Sequence, residues 1–142
     1  MTRPEFIELL CNDLRHEWKH LNFYLYHASA LVGLHAEEYK EVFLKEAASE
    51  MGHVTEFSDL IWGLGGKPHA DGYGFPMYTD VKGALQYAYD MERDVVKNYA
   101  EQLKQVDCLG EPDASWVAIF LEDQIDHSRR DVDRYRRLLS EF

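Results

Sequence analysis

Three glutamates, Glu17, Glu50 and Glu92, each stand inside a helical stripe that is otherwise apolar. At ~100° per residue, Glu17 falls within roughly 20° to 60° of Leu14, Leu21 and Tyr24. Glu50 lies within about 20° of Phe43, Phe57 and Ile61, and Glu92 equally close to Leu85, Tyr99 and Leu103. A buried carboxylate is costly unless a charge partner, a proton or a metal ion compensates it. A chain that repeats this pattern on separate helices has to fold so that the acids meet, which a helical bundle with a metal centre achieves. Glu50 also opens the run Glu50-Met51-Gly52-His53, and the matching place on the last helix reads Gln124-Ile125-Asp126-His127. Side chains three apart on a helix reach the same inner region, one turn apart.

The helices that carry these stripes can be bounded from the sequence. The first is expected to start after Thr2-Arg3-Pro4-Glu5 and to run to about Gly33, with Leu10, Leu14, Glu17, Leu21, Tyr24, Ala28 and Leu31 inward. A second runs from near Ala36 to Leu64, with Phe43, Ala47, Glu50, Val54, Phe57 and Ile61 on one face. Gly63, Gly65 and Gly66 stop it and Pro68 prevents resumption. The stretch from Gly65 to Tyr78 has no periodic pattern and is longer than two antiparallel neighbours need, so it is read as a crossover. The third helix starts near Thr79-Asp80, with Leu85, Glu92, Val96, Tyr99 and Leu103 inward. The turn Gly110-Glu111-Pro112-Asp113 precedes the fourth, with Val117, Phe120, Gln124, Asp131, Tyr135 and Leu138 inward. No strand pattern, tandem repeat or low-complexity tract is present. The fold class is therefore all-α, four long helices with a long connection between the second and third.

A chain of 142 residues is long enough for one domain with a real core, taken as residues 1–142, and too short for two. The net charge of −11 argues against nucleic acid as a partner, because phosphate binding needs a basic stripe. Cys11 and Cys108 stand far apart with no CxxC, so neither a disulfide framework nor a zinc site is indicated. The first residues lead into acidic ones rather than a long apolar run, so no signal peptide is expected. No run approaches the length of a membrane span. A cytoplasmic protein is the expectation. Carboxylate oxygens with imidazole nitrogens and no thiolate suit iron or manganese, with zinc able to take the same site.

At this point a family resemblance becomes visible. Glu17-Trp18-Lys19-His20-Leu21-Asn22-Phe23-Tyr24-Leu25-Tyr26-His27-Ala28 resembles the first helix of bacterioferritins. Glu46 through Pro68, with Ser49-Glu50-Met51-Gly52-His53 and the exit Leu64-Gly65-Gly66-Lys67-Pro68, resembles their second helix, and Glu92 matches their third-helix glutamate. The likeness extends more loosely to rubrerythrins. It implies a ferritin-like four-helix bundle with two iron ions per chain. Glu17, Glu50 and His53 would bind one, Glu92 and His127 would serve the other, and Glu50 would bridge. Tyr24 would hydrogen-bond a ligand carboxylate from outside. The family pattern on the fourth helix is Glu-x-x-His, and Gln124 departs from it, which removes one negative charge and weakens the second position. Glu122 is turned roughly 160° from Gln124 and cannot take its place. Asp123 is better placed, about 40° from His127 but nearly 100° from Gln124, and its shorter arm would need a local distortion.

The implied activity is oxidation of ferrous iron by oxygen or peroxide, in iron handling and protection from oxidative stress. The rival readings are a rubrerythrin-like peroxidase without a rubredoxin module, a metal- or haem-binding bundle without turnover, and a purely structural bundle. Met51 matches a haem-ligating methionine of bacterioferritins, but methionine packed at a subunit contact is the favoured reading over haem. His27 is read as a core histidine. His16, His20, His35 and His69 are read as surface or loop residues. A homo-oligomer, at least a dimer, is expected.

Overall fold

A computed structural model describes all of residues 1–142. The chain is all-α: α1 Arg3–Ala30, α2 Ala36–Gly63, α3 Val81–Leu103 and α4 Asp113–Leu139, with a short 3-10 helix, Val106–Leu109, before α4. That 3-10 turn is the one element absent from the sequence reading. Thr2 caps α1: the Glu5 backbone N–H donates to Thr2 Oγ1 at 3.3 Å, and the Thr2 hydroxyl donates to Glu5 Oε1 at 3.0 Å. α2 ends as its glycines require. Gly65 takes φ +88°, and the Gly66 N–H closes on the Ile61 carbonyl at 2.9 Å. Asp80 caps α3, its Oδ2 accepting the Gly83 N–H at 2.7 Å.

The chain divides into two compact units. The first, Ile7–Ala84, holds nearly all of α1, α2 and their sequel. Every residue expected on the inward stripes of α1 and α2 is buried. An aromatic group closes the far end of this core, with the Tyr24 and Phe43 rings 5.5 Å apart and Tyr39 against Phe43 at 6.4 Å. The connection from α2 to α3 travels along α1 in the direction of that helix. Cys11 Sγ lies 3.5 Å from the Lys67 carbonyl, the Tyr73 N–H reaches the Arg15 carbonyl, the Tyr78 N–H reaches His27, and the Val32 N–H reaches the Thr79 carbonyl. The expected crossover is thus a strap laid on α1.

The second unit comprises Met1–Phe6 and Leu85–Phe142. Arg3 pairs with Asp113 at 2.8 Å and donates to the Leu109 carbonyl at 3.2 Å, fastening the chain's start to the beginning of α4. The buried faces of α3 and α4 are rotated slightly from the expected stripes. Val96, Leu103, Phe120 and Leu138 are only half-buried, while Met91, Val95, Gln102, Leu121, Ser128 and Val132 are buried. Buried positions at steps of three and four leave two adjacent apolar residues to choose between, and the sequence does not say which of Val95 and Val96 turns inward.

Candidate metal centre

The unit containing α1 and α2 collects four titratable side chains in its interior. α1 supplies Glu17 and His20, and α2 supplies Glu50 and His53; all four are buried. Within each helix the glutamate and histidine are three residues apart, so one turn places both on the inner face. Ligand-capable atoms of Glu17, Glu50 and His53 all lie within 4.8 Å of one another. His53 Nδ1 stands 3.2 Å from Glu50 Oε2 and 3.6 Å from Glu17 Oε2. His20 Nδ1 stands 3.8 Å from Glu50 Oε1 and 4.0 Å from Glu17 Oε2.

Electrostatics hold this set together as protons would in place of cations. Burial pushes the Glu17 carboxyl above its usual range, and the Glu50 carboxylate beside it adds to the effect. Burial raises Glu50 as well. The hydrogen bond from Glu17 and the imidazoles of His20 and His53 outweigh that and hold it below the ordinary carboxylate range. Burial would lower His53, but the carboxylates of Glu17 and Glu50 push it up to about 11. Without a cation, burial and the neighbouring carboxylate favour the protonated form of Glu17, and His53 is charged at neutral pH. Two buried carboxylates and two imidazoles, with no thiolate, form a donor set that divalent iron, manganese or zinc can occupy by displacing those protons.

His20 was read from the sequence as a surface or loop residue; the structure buries it among the acids instead. The signal was available, because Glu17-Trp18-Lys19-His20 repeats the spacing of Glu50-Met51-Gly52-His53. Glu46 and Asp13 are also buried, and the sequence reading gave them no role. Tyr24 is fully buried in α1, two turns beyond Glu17. Met51 is 59% exposed on α2. His27 is a satisfied core residue. Its Nδ1 lies 2.8 Å from the Phe23 carbonyl and its Nε2 accepts the Tyr78 N–H at 3.0 Å, which fixes the proton on Nδ1.

In the other unit, Glu92 on α3 is fully buried and Gln124 on α4 is buried. His127 keeps 39% of its side chain in solvent, and its Nε2 lies 3.4 Å from Asp131 Oδ2. The second oxygen of Asp131 meets the exposed Arg134 at 3.6 Å. Glu122 and Asp123 point to solvent and supply no replacement for the carboxylate that Gln124 lacks.

One family model, described as a ferritin-like domain, matches residues 7–142. Among solved structures, ferritin-like diiron-carboxylate proteins from Bacillus anthracis str. Ames superpose with a TM-score of 0.88 at 28% identity, covering 96% of each chain. A dodecameric thioferritin, the bacterioferritin-related protein from Bacteroides fragilis, gives 0.85 at 18% identity, over 99% of this chain and 88% of that one. The Desulfovibrio desulfuricans bacterioferritin gives 0.83 at 22% identity, over 97% and 80%. No curated protein matches the sequence. The likenesses bear out the all-α, ferritin-like fold. No helix is long and apolar enough to cross a membrane.

Proposed function

The chain belongs to the ferritin-like domain family, and we propose that it acts within that family as a ferrous-iron oxidase. The observation that carries this reading is the buried convergence of Glu17, Glu50 and His53 from two helices. These three would bind one ferrous ion, with Glu50 bridging towards a second, to which the family resemblance assigns Glu92. Each ferrous ion gives up one electron. Two of them, with two protons, reduce oxygen to hydrogen peroxide, or reduce peroxide to two molecules of water. The protein's own contribution is to hold the ions side by side in a dry interior and to take up the charge that develops as they are oxidised. The Bacillus anthracis likeness, described as diiron-carboxylate proteins, supports the choice of iron. The dodecameric Bacteroides fragilis likeness supports a homo-oligomer. The family pattern assigns His127 to the second ion, although its side chain is 39% exposed. Met51 is a subunit-packing residue in this reading rather than a haem ligand, and the protein works in the cytoplasm.

Ferrous iron added without oxygen and then exposed to air should give rapid oxygen uptake and a transient colour. Glu50→Ala should abolish both, because it removes the bridge and a ligand together. Oxidation at the wild-type rate in that variant would end the proposal. Manganese or zinc added first should compete with iron for the same donors and slow the uptake.

A further inference from the structure

We infer that His20 is a ligand of the second metal ion, bound through Nδ1 on the side of Glu50 opposite His53. This rests on the di-iron reading above and assigns a residue that the family pattern leaves out. Four observations support it. Glu50 has an imidazole at each oxygen: His53 Nδ1 faces Oε2 at 3.2 Å, and His20 Nδ1 faces Oε1 at 3.8 Å. A carboxylate that bridges two cations presents one oxygen to each, and here an imidazole stands beside both oxygens. The side chain of His20 is 3% exposed and that of His53 10%, so both rings are enclosed in the same interior.

The distances also fit a cation better than a direct bond. At 3.8 Å and 4.0 Å, His20 Nδ1 is beyond ordinary hydrogen-bond reach of the Glu50 and Glu17 oxygens. Two metal–ligand bonds of roughly 2.0 to 2.2 Å meeting at one ion span gaps of that size. Finally, the family's donor pattern is incomplete on α4. Gln124 presents a neutral amide where the family carries a carboxylate. The His127 side chain is 39% exposed, with Nε2 on Asp131. His20 restores a buried nitrogen donor from α1. It does not restore the lost negative charge, so the second ion is held less tightly than the first.

The test is anaerobic titration of the metal-free full chain with ferrous iron, and separately with cobalt(II), counting bound ions per chain. The wild type should take two in unequal steps. His20→Ala and His20→Gln should take one, at the wild-type affinity of the first step, which also shows that the variants are folded. His127→Ala should still take two. Pulsed electron paramagnetic resonance of the cobalt-loaded wild type should show nitrogen couplings from two imidazoles, falling to one in His20→Gln.

Two ions retained in His20→Ala would overturn the assignment. So would a fall to one ion in His127→Ala, or a wild type that takes only one. Loss of both ions in the two His20 variants alike would also overturn it, because His20 would then be acting through Glu50. Failure of the underlying reading looks different: no ion binds the wild type, or Glu50→Ala binds as many as the wild type does.

Discussion

His27 shows how a single proton can be tied to a backbone connection. Its neutral ring donates from Nδ1 to Phe23 and accepts at Nε2 from Tyr78. A second proton would turn Nε2 into a donor facing a donor. Burial lowers its pKa below the usual 6.5. The unfolded chain therefore binds more protons just below that value, and stability from this group is present above 6.5 and lost as pH falls through the window beneath it. Melting temperatures at pH 7.5 and pH 5 should differ less in His27→Phe than in the wild type. At neutral pH that variant should lose about 1–3 kcal/mol, because the Tyr78 N–H loses its acceptor. Equal pH slopes in the two proteins would remove His27 from this role. Tyr24→Phe tests a different link, the proposed one from an orienting hydroxyl to the metal. It should fold normally and bind the first ion about 10- to 100-fold more weakly. At this scale the sequence was most informative where residue type and period disagreed, as at Glu17, Glu50 and Glu92. It was least informative at His20, because a histidine facing inward breaks no rule of helical amphipathicity. The Glu17–His20 spacing was the one hint in the sequence, and packing against a second helix shows what the ring faces.

Among the elements, the strap from α2 to α3 depends on close approach to α1. A Cβ at Gly72 would stand 2.8 Å from Trp18 Cβ and 3.0 Å from the Lys19 backbone nitrogen. Gly72→Ala should therefore cost about 1–3 kcal/mol, read by denaturant unfolding, since backbone on α1 cannot move aside cheaply. Removing the α3 cap with Asp80→Ala should cost about 1 kcal/mol. No loss in either variant would mean that the strap and the cap hold nothing. Helix existence and the crossover were legible because glycine, proline and capping residues punctuate the chain. The 3-10 turn Val106–Leu109 was not, because four residues carry too little period to separate a helical turn from a loop. The inward faces of α3 and α4 were read one residue out in places, where neighbouring apolar side chains compete for the core.

At the scale of the whole molecule, the unit of residues 7–84 leaves Leu25, Tyr26, Leu44, Met51 and Trp62 exposed on α1 and α2. Under the homo-oligomer proposed above, these side chains are the candidate contact with another copy of the chain. Trp62→Glu and Met51→Glu should each shift the protein to smaller species in sedimentation velocity without lowering the first iron affinity. An unchanged assembly size in both would place the subunit contact elsewhere. The strap carries one more consequence, in the order of synthesis. Everything it touches on α1 lies earlier in the chain, as do Glu17, His20, Glu50 and His53. When the ribosome has finished residue 84, all four side chains and the belt that lies along the first helix have been made. The side chains proposed to hold a cation are thus made while most of α3 and all of α4 are still unwritten.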